Sequence, residues 1–156
     1  VLEELRKELR DMERQLRDAE DGLKKKQDKQ NREYGTDGAW YPLGEKCFES
    51  SISKYRYKIC PFERATQDST SLGSFHKWRV SPSESTPSNP PVMEFTNGAH
   101  CWQGPQRSLA LTFKCGPVEK ILSVDEPSKC TYTAIAESPA ACTQQLLQEI
   151  KKDAGV

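Results

Sequence analysis

Hydrophobic positions repeat with two different periods along this 156-residue chain, and the change falls after residue 33. Before it, Leu2, Leu5, Leu9, Met12, Leu16, Ala19 and Leu23 follow at alternating steps of three and four, a heptad seam. The positions between them are almost all Glu, Asp, Lys, Arg or Gln. No Pro interrupts them, and Gly22 is the one weak point. The pattern predicts a helix over residues 1–33, about 45–50 Å long at helical rise. Its stripe is too narrow for the face of a globular core helix. Two arrangements suit it: a coiled coil with a partner helix from the same or another chain, or a single solvated helix held by charge pairs four residues apart.

Gly35-Thr36-Asp37-Gly38 marks the boundary. Beyond it the period drops to two. Tyr55, Tyr57 and Ile59 alternate with Lys54, Arg56 and Lys58, and Leu109, Leu111 and Phe113 alternate with Ser108, Thr112 and Lys114. Shorter strand-like runs lie at 46–49, 75–80, 92–95, 121–124 and 131–135. Turn residues between them predict antiparallel strands packed as a sandwich or flattened barrel. Residues 81–91, rich in Ser and Pro, read as a mobile loop without strand capacity. Ser138 and Pro139 form a helix-start signal ahead of Leu146, Leu147 and Ile150, so the tail 143–156 is expected to make a short helix.

Hydrophobic content is 35%, low for a globular chain, so something besides apolar burial must hold the β region. Six cysteines, at 47, 60, 101, 115, 130 and 142, all lie there. Their even number, wide spacing and lack of any Cys-x-x-Cys pair predict three disulfides rather than a metal site, and hence an oxidising compartment. Spacing leaves the connectivity open. Lys plus Arg equals Asp plus Glu, 23 against 23, which offers no electrostatic reason to bind nucleic acid or an anionic surface. No run of 18 apolar residues is present, so no membrane-spanning helix is expected. The chain begins at Val1 without an apolar signal stretch, as expected of a fragment or processed form.

Catalytic chemistry is not expected. Two histidines sit in no recognisable motif, bridged cysteines leave no thiolate, and no nucleophile elbow or phosphate-binding glycine loop occurs. No cofactor or metal is called for. What stands out is the segment from Gly98 to Ser108, with Trp102, Gln103 and Arg107 around Cys101, and a second one holding Glu126 and Tyr132 around Cys130. A third, Tyr57-Lys58-Ile59-Cys60-Pro61-Phe62, leads to Gln67. Amide, guanidinium and carboxylate groups can address neighbouring sugar hydroxyls together, and an aromatic ring covers a C–H face. The same residues also suit plainer roles: Arg107 and Glu126 as a surface ion pair, Tyr132 as strand core, Trp102 as packing on its disulfide.

Trp40-Tyr41-Pro42-Leu43, Tyr55-Arg56-Tyr57-Lys58-Ile59-Cys60-Pro61-Phe62, Cys101-Trp102-Gln103-Gly104-Pro105 with Arg107-Ser108, Cys115-Gly116, and Glu126-Pro127-Ser128 with Cys130 and Tyr132 together resemble the mannose-6-phosphate receptor homology domain. The resemblance covers about residues 39–142 and points to the form found in β subunits of endoplasmic-reticulum glucosidase II, which also carry a charged coiled-coil region ahead of it. It implies a non-catalytic lectin at 34–142 behind a stalk at 1–33. Gln67, Arg107, Glu126 and Tyr132 would be the mannose site, with Trp102 as a platform. Gln67 and Arg107 would take the axial 2-hydroxyl region, and Glu126 and Tyr132 the 3- and 4-hydroxyls. It further implies the bridges Cys47–Cys60, Cys101–Cys130 and Cys115–Cys142. The last two would clamp the segments carrying Arg107, Glu126 and Tyr132.

No dedicated basic cluster flanks the four residues, so the expected ligand is non-phosphorylated mannose on high-mannose N-glycans. The expected partner is a catalytic α subunit, held through a region N-terminal to this chain, and the expected location is the endoplasmic-reticulum lumen. The ending Asp-Ala-Gly-Val lacks the retention tetrapeptide of that family. Competing expectations are an interaction scaffold that has lost sugar binding and a free-standing hydrolase.

Overall fold

A computed structural model describes residues 1–143, 148 and 151–155. The chain divides into two compact units, 1–33 and 34–156. The first is one helix, α1 (Leu2–Asn31), without a buried residue. Glu3 and Glu4 in its first turn and Lys29 in its last complement the helix dipole. The heptad leucines and Met12 are between 56% and 61% exposed, so α1 presents its apolar stripe to solvent. No helix of the described residues is long and apolar enough to cross a membrane.

The second unit is an eight-stranded sheet: β1 (Phe48–Ile52), β2 (Tyr55–Cys60), β3 (Arg64–Gln67), β4 (Thr70–Val80), β5 (Val92–Thr96), β6 (Ser108–Cys115), β7 (Lys120–Ser128) and β8 (Thr131–Ser138). The strand order is β1-β2-β3-β4-β5-β6-β8-β7. The outermost strands β1 and β7 touch, and Lys46 pairs with Glu119 at 3.3 Å beside that seam. The sheet is thus rolled into a nearly closed barrel.

Alternation fills its interior. Tyr57 and Ile59, Leu109, Leu111 and Phe113, and Tyr132, Ala134 and Ala136 are all buried, one face of each strand. Trp40, buried ahead of a short 3-10 turn (Tyr41–Glu45), meets Phe113 edge-on at 4.8 Å and Trp78 at 5.2 Å. Such pairs add about 0.5–1.5 kcal/mol each beyond the area they bury.

Three features depart from the sequence expectation. Not every pair is antiparallel: β6 and β8 run parallel, because the chain leaves β6, forms β7 one place further out, and returns as β8 between them. A further strand, β3, lies in a stretch for which no strand was expected. It is four residues long with Ala65 its single apolar residue, too short for a periodic signal. Residues 81–91 contain no named strand, in line with the expected loop, and carry hydrogen-bonded turns with one bridge between Thr86 and Asn89. Finally, the disulfides divide between the barrel ends. Cys47–Cys60 and Cys115–Cys142 close the end where β6 and β8 finish, and Cys101–Cys130 alone lies where they start. Seven strand steps, roughly 23 Å, separate Cys115 from Ser108, so Cys115–Cys142 cannot clamp the segments at the far end.

Ser138 caps a 3-10 turn (Pro139–Ala141), its hydroxyl accepting from the Ala140 N–H at 3.2 Å. The expected tail helix falls on Leu146, Leu147 and Ile150, which lie outside the described residues.

Gly73 in β4 has φ +133°, and a Cβ there would stand 2.7 Å from the Thr96 nitrogen and 2.8 Å from the Phe95 carbonyl carbon, both backbone. Gly73→Ala is expected to cost more than about 2 kcal/mol, read as a lowered urea midpoint. An unchanged midpoint would contradict the close approach of β4 to β5.

Candidate carbohydrate site

The barrel end where β6 and β8 begin collects the sequence-singled residues, and the strand order explains why. β3 ends there at Gln67, β4 begins at Thr70, β5 ends at Thr96, β6 begins at Ser108, β8 at Thr131, and β7 ends at Ser128. Gln67 continues the inward phase of buried Ala65 and lies directly opposite Tyr57. Tyr132 opposes Leu109 across the parallel pair, and Arg107 precedes Leu109 by two residues. Gln67, Arg107 and Tyr132 therefore extend three interior rows toward the same opening.

Backbone hydrogen bonds tie these pieces together. The Ala99 N–H donates to Ser71 O at 2.9 Å, the Arg107 N–H to Ala99 O at 3.1 Å, and the Ser108 N–H to Cys130 O at 3.3 Å. Gly98 makes the first junction possible. A Cβ on it would meet Arg107 O at 2.6 Å and Ser71 O at 2.7 Å. Cys101–Cys130 then bridges the 97–107 loop to the β7–β8 turn, where Cys130 takes φ +60°.

Each side chain is held differently. Gln67, half-buried, donates through Nε2 to the Tyr57 hydroxyl at 3.0 Å. Arg107, also half-buried, donates through Nη1 to His100 O and, at 3.4 Å, to Ala99 O. Its Nε is the sole buried side-chain nitrogen or oxygen without a hydrogen-bond partner among the described residues. Glu126 sits where β7 slips register between Asp125 and Ser128, a shift that also accommodates Pro127 on a terminal strand. One Glu126 carboxylate oxygen accepts the Cys130 N–H at 2.7 Å. Tyr132 is 5% exposed and belongs to the core, with its ring lining the row that ends here. Trp102 is 74% exposed rather than packed down on its disulfide, and the Lys129 ammonium stands 5.1 Å from its ring centre. Arg107 and Glu126 each engage backbone in place of a mutual ion pair.

Tyr57 opens one of the segments singled out from the sequence, but its contact with Gln67 was not foreseen. Its pairing with Gln67 depends on β3, which carried no periodic signal. Among the described residues no three His, Cys, Asp or Glu side chains converge as metal ligands. A separate groove lined by Pro87, Pro90, Pro91, Phe113, Lys114 and Ala141 lies at the opposite barrel end. Its lining is mostly apolar, with Ser85, Thr86, Lys114 and Thr143 as its polar members and no carboxylate or amide side chain among them.

A family model described as glucosidase II beta subunit-like protein matches residues 5–155. The chain is 40% identical over 129 residues to glucosidase 2 subunit beta of Oryza sativa subsp. indica, covering 80% of this chain and 20% of that relative. It is 33% identical over 118 residues to glucosidase 2 subunit beta of Homo sapiens, covering 72% and 22% respectively. It therefore spans about a fifth of the length of these curated relatives. It is also similar to a crystal structure of the MRH domain of glucosidase II beta bound to mannose, at 36% identity and a TM-score of 0.55. That match covers 65% of this chain and 98% of the other.

Gly98→Ala is expected to lift the 97–107 loop from β4, speeding hydrogen exchange at the Ala99 and Arg107 amides at least about tenfold relative to β6. Unchanged protection at both amides would contradict the docking described.

Proposed function

Because the chain belongs to the glucosidase II beta subunit-like family, we propose that residues 34–142 are a non-catalytic lectin domain that binds terminal mannose of high-mannose N-glycans. Residues 1–33 serve as its stalk and 143–156 as its tail. The observation that carries this reading is the barrel end itself. Two half-buried polar side chains, Gln67 and Arg107, a buried phenol, Tyr132, and the carboxylate of Glu126 are gathered there, with Arg107 Nε buried and unpaired. Together these amide, guanidinium, phenol and carboxylate groups offer both donors and acceptors to adjacent sugar hydroxyls.

Gln67 and Arg107 are assigned to the axial 2-hydroxyl, the group that separates mannose from glucose. Glu126 and Tyr132 are assigned to the 3- and 4-hydroxyls. The Trp102 face, beside the site, is the platform for an apolar sugar face. Glu126 already spends one lone pair on the Cys130 N–H, which orients its second oxygen for a ligand. Similarity to a mannose-bound MRH domain supports the assignment. One mannose buries little area, so affinity is weak and rests on several contacts acting together.

In the full protein, the lectin presents glycoproteins to a catalytic α subunit that removes glucose, and a helix partner covers the α1 stripe. Three disulfides fit work in the endoplasmic-reticulum lumen.

Isothermal titration with a high-mannose glycan tests the reading. Arg107→Ala and Glu126→Gln should each weaken binding at least about tenfold, as expected for loss of a charge-assisted hydrogen bond. A flat titration with the unaltered chain would favour an interaction scaffold, and undiminished binding by both variants would sink the site assignment.

A further inference from the structure

We infer that Tyr57 is a positioning residue that sets the orientation of the Gln67 amide, and through it the discrimination of mannose from its 2-epimer. The inference rests on the mannose reading above and adds a residue to it. Gln67 closes β3, a strand of only four residues, and its side chain has three rotatable bonds. Left alone at a barrel opening, its amide would sample several rotamers and both flips of its oxygen and nitrogen. Tyr57 removes that freedom. The two residues are directly opposed in the β2–β3 register, so their side chains leave the same face of the sheet. Tyr57 is 6% exposed and its ring belongs to the core, with Tyr55 edge-on at 6.4 Å, so the phenol is a fixed post.

The Gln67 Nε2 donates one proton to that phenol oxygen at 3.0 Å. One amide proton and the carbonyl oxygen of Gln67 remain for a ligand. A hydroxyl group is both donor and acceptor, so an amide held edge-on can give and take at a single hydroxyl. This two-way contact exists only if the amide faces one way, which the phenol enforces. The Tyr57 proton is not consumed by the contact, because the phenol accepts there. The β3–β4 turn adds a second restraint close by. The Asp68 N–H donates to Arg56 O at 2.7 Å and its carboxylate accepts the Arg56 N–H at 2.9 Å, locking Gln67's neighbour to the strand that carries Tyr57.

The test is a double-mutant cycle on the full chain, with mannose affinity measured by titration and glucose as the epimeric competitor. Tyr57→Phe keeps the ring in the core and removes the oxygen. It should weaken mannose about three- to tenfold, the range for one neutral hydrogen bond, and narrow the mannose-to-glucose ratio by a similar factor. In a Gln67→Ala background, Tyr57→Phe should change mannose affinity less than about twofold, because the group it positions is gone. A merely structural role would give the same loss in both backgrounds and leave the epimer ratio unmoved, and either result overturns the inference.

Side-chain amide resonances supply a readout independent of binding. The two Gln67 protons should be well separated and exchange-protected in the unaltered chain, and collapse toward free-glutamine values in Tyr57→Phe. Free-glutamine values already present in the unaltered chain would also overturn the inference. Arg107→Ala serves as the control. Undiminished mannose binding there and in Glu126→Gln removes the site assignment as a whole, whereas lost binding there with an unaffected Tyr57→Phe removes only the role of Tyr57.

Discussion

β8 is hydrogen-bonded on both sides, in parallel register to β6 from Ser108↔Thr131 to Cys115↔Ser138 and antiparallel to β7. This double pairing decides where the chemistry sits. Were β8 to slip by one residue against β6, Tyr132 would turn outward and Arg107 would lose its place beside the β7–β8 turn. The register is enforced by packing, since Leu109, Leu111, Phe113, Tyr132, Ala134 and Ala136 are all buried on one face. The same inward phase, continued one step past the apolar residues, becomes the polar opening. Core and site are thus one periodic pattern read at two depths.

The two barrel ends are built for different work. Two disulfides close one end, where the aromatic cluster of Trp40, Trp78 and Phe113 also packs. At the other end a single bridge, Cys101–Cys130, joins a loop and a turn whose other ties are backbone hydrogen bonds and side chains facing backbone groups. A disulfide there limits the states those segments can visit when no ligand is bound, and so lowers the entropy a small ligand must offset. The arrangement places more cross-links away from the opening and leaves near the opening the one buried side-chain donor without a partner among the described residues.

Much of this was legible in residue order alone, and the rest failed for identifiable reasons. The heptad steps from Leu2 to Leu23 marked α1, and the alternation around Tyr57 and Leu111 marked β2 and β6, because long runs carry strong periodicity. Parity and spacing of the cysteines pointed to three bridges. Short β3 was invisible, and with it the Tyr57–Gln67 pair. The parallel β6–β8 pairing was also hidden, since periodicity says nothing about which strand lies beside which. β7 runs through Pro127 to Ser128, past the expected end at Val124, because its terminal place in the strand order tolerates a residue without an N–H. Glu126 and Arg107 were picked out by type and by resemblance. Their separate backbone anchors, Cys130 N and His100 O, depend on loop geometry that no local pattern encodes.

The central claim is that one barrel end, and not the other, receives mannose. The most direct measurement is a two-dimensional amide NMR titration of the intact chain with mannose, alongside glucose. Shifts should progress with mannose at Gln67, through 97–107 and from Glu126 to Tyr132. Glucose should move them far less, and amides around Cys60, Phe113 and Cys115 should stay in place. Mannose-induced shifts confined to the Phe113 and Cys115 end, or absent throughout, would contradict it.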